Sequence, residues 1–163
     1  MNKKHVLVAA LVMLVTTCLG MVSTGATPTI VKSGAKAVVL GYVHIDPTDP
    51  GVAWVTGRYS CPAGEAHLFV SVKQVADARP DPRLKLEGSS SISKGWLERH
   101  PGPSEFTCDG SWHTDTFRID AVTEYGHGTL VPGQVYVQFC LTGPGPDTAP
   151  EWFAFWEQFA NAR

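Results

Sequence analysis

"VAWVTGRYSC", residues 52–61, alternates in twos. Ala53, Val55, Tyr59 and Cys61 share one face, and Trp54, Thr56, Arg58 and Ser60 share the other. That is the period of a half-buried strand, because successive side chains of an extended chain point to opposite sides. One such strand cannot bury its apolar face alone, so the fold turns on whether its neighbours read the same way.

They do. "KAVVLGYVHI" (36–45) precedes it and is stopped by the turn-rich "DPTDPG" (46–51). "AHLFVSVKQV" (66–75) places Ala66, Leu68, Val70 and Val72 inward, with His67, Ser71 and Lys73 outward. "SWHTDTFRIDAV" (111–122) gives Phe117, Ile119 and Ala121 to one side, and "GQVYVQFCLT" (133–142) gives Val135, Val137, Phe139 and Leu141. Gly and Pro punctuate the chain about every ten residues, as in all-β domains of short strands. The spacing predicts an immunoglobulin-like antiparallel β-sandwich of about seven strands with one disulfide. The Cys–Trp–Cys spacing of true immunoglobulin domains is not found.

Two segments break the pattern. Residues 76–105, rich in Pro, Ser and charge, read as a loop insertion with one short strand at Arg83–Glu87. In the tail (147–163), Trp152, Phe155, Trp156 and Phe159 fall at helical spacing, yet aromatics also favour strands, and a sandwich needs a closing strand. The reading here is strand.

The first residues carry an address. Lys3, Lys4 and His5 precede an apolar run from Val6 to Val15, and "STGAT" (23–27) offers Thr24 and Ala26 ahead of a cleavage point before Thr27. This is the layout of a signal peptide over 1–26, which leaves 27–163 as one domain of about 137 residues exported to the extracellular side. Cys18 lies where a bacterial lipoprotein carries its acylated cysteine, but Thr17 before it and "LGMV" after it do not suit that signal. Without Lys3 and Lys4 the chain keeps 11 basic and 15 acidic residues, a formal charge of −4. No basic run stands out, so nucleic acid is a poor partner, and no membrane contact is expected beyond the leader.

Three cysteines survive cleavage. Cys61 ends a strand on its inward face, Cys108 opens another beside turn-forming "CDG", and Cys140 lies opposite the inward set of its strand. Face parity therefore pairs Cys61 with Cys108 and points Cys140 away from the core, leaving it open to an intermolecular bridge.

"VTGRYSCP", "AHLFVSVKQ", "CDGSWH" and "LVPGQVYVQFCL" together resemble a family of small secreted actinobacterial domains of unknown function. The matching positions are Gly57, Tyr59, Cys61, Gln74, Cys108, Asp109, Gly110, His113, Pro132 and Gly133. The resemblance spans roughly Val52 to Thr142 and implies the same disulfide. It brings no activity, ligand or catalytic residue. The 76–105 segment, the aromatic tail and Cys140 depart from it.

Sharper chemistry finds little support. Cys108 with His113 could be a nucleophile and its base, but a disulfide explains that cysteine more simply. No Gly-x-Ser-x-Gly elbow occurs, and "GSSSIS" (88–93) reads as a loop. His113 with Asp115, or Glu124 with His127, could begin a metal site, yet neither pair has an evident third ligand. Gln74, at the inward end of its strand, suits an amide that binds backbone groups of a neighbouring loop. The expectation is thus a domain with no catalytic, metal or cofactor site. It acts by binding a protein, an envelope component or a small apolar molecule. The competing readings are a small secreted hydrolase and a lipoprotein anchored through Cys18.

Overall fold

A computed structural model describes residues 34–86, 89–122, 125–145 and 150–163. The leader over 1–26 and Cys18 lie outside the described residues. The strands, in chain order, are β1 (Lys36–Ile45), β2 (Val52–Ser60), β3 (His67–Gln74), β4 (Gly95–Arg99), β5 (Trp112–Asp120), β6 (His127–Gly128), β7 (Gly133–Thr142) and β8 (Phe153–Ala162). The five alternating segments of the sequence thus become β1, β2, β3, β5 and β7, and the aromatic tail is the strand β8.

These strands do not make a sandwich. Seven of them close on themselves in the order β1–β2–β5–β4–β3–β7–β8, with β6 added beside β4. The immunoglobulin-like reading is therefore corrected to a seven-stranded β-barrel. The reason lies in the segment taken for an insertion. Within 76–105, β4 pairs with β3 from Val70↔Arg99 to Gln74↔Gly95 and reaches β5 at Glu98↔Asp120. That strand joins what would otherwise be two separate sheet edges. The second seam is parallel: Val43 pairs with Ala162, Ile45 N–H donates to Arg163 O (2.9 Å), and Arg163 N–H donates to Val43 O (3.0 Å). Alternation alone could not separate the two folds, because barrels and sandwiches both bury every second residue.

The strand expected at Arg83–Glu87 is also corrected. Pro82–Lys85 forms a 3₁₀ turn, with Pro at its start and the Asp81 carboxylate accepting from Arg83 N–H at 3.0 Å. Asp and Pro favour that local closure over extension. Glu87 lies outside the described residues.

The barrel interior is filled by side chains. Val39, Val43, Val55, Leu68, Val70, Leu97, Phe117, Ile119, Val137, Phe139 and Trp156 belong to one continuous buried cluster. Gly57 makes room at its centre: a Cβ there would lie 2.3 Å from Phe139 Cε2. Phe139 in turn packs beside Phe117 and Tyr59, with ring centres 5.8 and 6.1 Å away. A smaller cluster sits outside the wall, where Val75, Leu84 and Tyr136 are buried under the 75–94 crossover.

Candidate functional site

The residues singled out by sequence gather mainly at one pole of the barrel, where β2 ends. Cys61 is fully buried and bonded to Cys108, 47 residues on, with Cα atoms 4.9 Å apart. Gly110 N–H donates to Cys61 O (2.7 Å), and Ser60 Oγ donates to Gly110 O (3.2 Å). The Cys-Asp-Gly turn is thereby pinned to the strand, and Gly110 takes the φ of +85° that the turn needs. Asp109 accepts from Ser111 N–H (2.8 Å), and His113 Nε2 lies 2.8 Å from its Oδ1. The imidazole, with help from that amide, holds the Asp109 carboxyl below the usual carboxylate range.

Beneath this turn, Tyr59 donates its hydroxyl to Asp115 Oδ2 at 2.5 Å and accepts Thr107 N–H at 3.2 Å. Burial, followed by the bond to Asp115, pushes the phenol well above its ordinary value. The tyrosine is thus a locked donor rather than a base. His113 and Asp115 do share the inner face of β5, yet each is engaged separately, His113 by Asp109 and Asp115 by Tyr59. Among the described residues no group of three His, Cys, Asp or Glu side chains could hold a metal ion. Glu124 lies outside the described residues. His127 sits elsewhere, with Nδ1 3.0 Å from Tyr125 O and Nε2 3.1 Å from Ser93 O, where it fastens β6 to the crossover.

With its sulfur in the disulfide, Cys108 is no nucleophile. Beside it opens a depression of about 340 Å³ lined by Gly64, Glu65, Ala66, Pro103, Phe106, Thr107 and Cys108. Glu65 is the one ionisable group in that lining.

Gln74 acts as a backbone bridge. Its Nε2 donates to Val131 O (2.8 Å) and Gln134 O (3.2 Å), and its Oε1 accepts Val131 N–H (2.9 Å). The amide therefore serves the entry into β7, as its inward strand-end position suggested.

A polar row on the outer wall went unseen in the sequence. Across β4, β3, β7 and β8, Glu98, Ser71, Gln138 and Glu157 stand in register. Ser71 Oγ donates to Gln138 Oε1 (3.1 Å), while Gln138 Nε2 (3.0 Å) and Tyr136 OH (3.1 Å) both donate to Glu157. Beside the row, buried Lys73 donates to Ser89 Oγ (3.1 Å) and lies 4.1 Å from the Trp96 ring centre. Desolvation pulls its ammonium below the usual lysine range, against the opposing pull of Glu157 and Glu98. Period-two reading makes Ser71 and Lys73 outward and hence solvated. The signal that could have exposed them is "Y-x-Q-x-C" on the outer positions of β7, where a wet face would carry charge.

Cys140 also faces outward, between Phe69 and Phe155 on the neighbouring strands, yet it is only 1 % exposed. An intermolecular bridge from it would require that cover to open. Nearby, His67 and His100 stack with ring centres 5.0 Å apart, and their ring nitrogens approach to 3.0 Å.

The opposite wall, formed by β1, β2 and β5, is more open. Trp112 is 46 % exposed there and Tyr42 40 %. The Arg58 guanidinium lies 4.8 Å and the Lys36 ammonium 5.9 Å from the Trp112 ring centre. No known family model matches the sequence, and no curated protein aligns with it.

Proposed function

We propose that the chain is an exported binding module without catalytic machinery, and that it holds an envelope component on the outside of its barrel. The observation that carries this reading is the filled interior. Trp156, Phe139, Phe117 and Tyr59 occupy the space where a barrel-bound ligand would lie, and a ligand cavity needs a few hundred Å³ of open volume. That argues against the small apolar ligand held within the fold. At the disulfide pole Asp109, His113, Asp115 and both sulfurs are engaged with structural partners, which supports binding over hydrolysis. Export is supported by the leader-like first residues and by a disulfide, a bond kept in oxidising compartments.

The test is co-sedimentation of the purified chain with an isolated cell-envelope preparation, alongside turnover assays on chromogenic ester, amide and glycoside substrates. Sedimentation without turnover is expected. Turnover that tracks the protein through purification and is lost with Asp115→Asn or His113→Gln would replace this reading with an enzyme. Intact mass with and without reductant reports the cleavage site, one disulfide and the state of Cys18 together.

A further inference from the structure

The β1–β2–β5 wall has a composition unlike the rest of the chain. The protein carries 15 acidic against 13 basic residues, yet the outward positions of these three strands hold Lys36, Arg58 and Arg118 against the single acid Asp120. That acid stands at the far end of β5 and bonds to Arg118. Among the described residues no carboxylate pairs with Lys36 or Arg58. Both cations instead flank Trp112, a ring nearly half open to solvent. An exposed aromatic ring beside two cations that no described carboxylate neutralises suits a flat ligand that carries negative charge.

The rest of the wall narrows the class. In register below Trp112 come Thr114 opposite Arg58, then Thr116 opposite Thr56, then Arg118 opposite Trp54. The Thr56 and Thr116 hydroxyls share a bond of 2.8 Å and are left with capacity toward solvent. From the Trp112 row to the Trp54 row is six residues of strand, about 20 Å. The sequence of features along it is ring and cations, hydroxyls, then ring. A sugar chain offers hydroxyls along its length and apolar C–H faces for the rings. Nucleic acid would present phosphates at close intervals, and tight binding to it draws on more cations than this wall holds. An acidic peptide offers the charge without the hydroxyls.

We infer that the outer wall of β1, β2 and β5 is a binding face for an acidic glycan, with Trp112 as the stacking platform and Arg58 and Lys36 as the carboxylate clamps. This inference rests on the binding-module reading and assigns it a surface and a ligand class.

The probe is polygalacturonate, a carboxylated polysaccharide, titrated calorimetrically into the full exported chain. Neutral dextran, poly-glutamate and an oligo(dT) strand serve as comparison ligands. Polygalacturonate should bind, weaken with added salt, and lose about tenfold in affinity with Trp112→Ala and with Arg58→Gln. Both variants should keep the far-UV spectrum and the urea midpoint of the parent, since the altered side chains are exposed. Dextran should bind at least about tenfold more weakly than polygalacturonate. Absent binding, or binding indifferent to both substitutions, overturns the inference. Preferential binding of oligo(dT) or poly-glutamate overturns it in favour of those polymers. Envelope co-sedimentation separates the two levels: if it persists in Trp112→Ala, the face is wrong and the module reading stands. If the parent never sediments, the module reading fails.

Discussion

Gly57→Ala should destabilise the barrel although it adds a single methyl group to a strand. A Cβ at this position would sit 2.3 Å from Phe139 Cε2 and 2.6 Å from Cζ, where carbon contacts normally settle near 3.5–4.0 Å. The ring would have to retreat by more than about 1 Å. It has nowhere to go, because Phe139 is fully buried against Phe117 and Tyr59. Overpacking of this kind costs about 1–3 kcal/mol. The stiffer unfolded chain returns about 0.4–1 kcal/mol. The net expectation is a loss of about 1–2 kcal/mol, a fall in Tm of about 2–8 °C for a chain of this size. Urea denaturation of the oxidised protein measures it directly. Phe139→Leu removes the clashing atoms, so Gly57→Ala made in that background should cost about 1 kcal/mol less than in the parent. Strict additivity of the two changes would refute the packing argument. A neutral Gly57→Ala would do so as well.

Other perturbations follow from the same geometry. Replacing Cys61 and Cys108 by Ser opens a link across 47 residues, which the chain-entropy relation values at about 4 kcal/mol. A urea midpoint that barely moves would show the pole to be peripheral. Gln74→Leu strands Val131 N–H, Val131 O and Gln134 O, with an expected loss of about 1–3 kcal/mol. Faster hydrogen exchange at the Val131 amide would locate the damage there. Burial holds the His100 imidazole below its ordinary value. Between that lowered value and about 6.5 the unfolded chain takes up a proton that the folded chain refuses, so stability falls as pH drops through this window and is complete above it. Urea midpoints at pH 5.5 and 7.5 should therefore differ more in the parent than in His100→Gln, and an equal difference would place the pH response elsewhere.

The legible part of this fold is the part fixed by local pattern. Val52–Ser60, Lys36–Ile45 and Gly133–Thr142 could be bounded almost residue by residue, because alternation and turn residues act within a few positions of one another. The Cys61–Cys108 pairing followed from which face each sulfur takes. What failed was assembly. "GWLER" is five residues inside a Pro- and Ser-rich stretch, too short for its alternation to announce a strand, and its partners β3 and β5 are set by long-range pairing. The outer polar row was hidden for a related reason. Lys73 and Ser71 look solvent-bound by parity, and only the crossover through Ser89 and Leu84 shows that this wall is covered. His113 and Asp115 were rightly placed on one face, but which group each would bond depended on how Thr107 and the disulfide folded back over β2.

Closure of the barrel also bears on function. An open sandwich could have admitted a small apolar molecule between its sheets. A seven-stranded barrel is narrow enough for its own side chains to fill, and Gly57 shows how tightly: one position had to surrender its side chain for a phenylalanine ring to fit. The proposed binding is therefore assigned to the outside. There the two walls differ in kind. Over β3, β7 and β8 the crossover buries Lys73 and Ser71, and Tyr136 and Gln138 are tied to Glu157, so charge is consumed internally. Over β1, β2 and β5 the cations Lys36 and Arg58 meet a tryptophan and no described carboxylate. A charge that the fold leaves unpaired is available to a partner, and this wall is where the chain has left it.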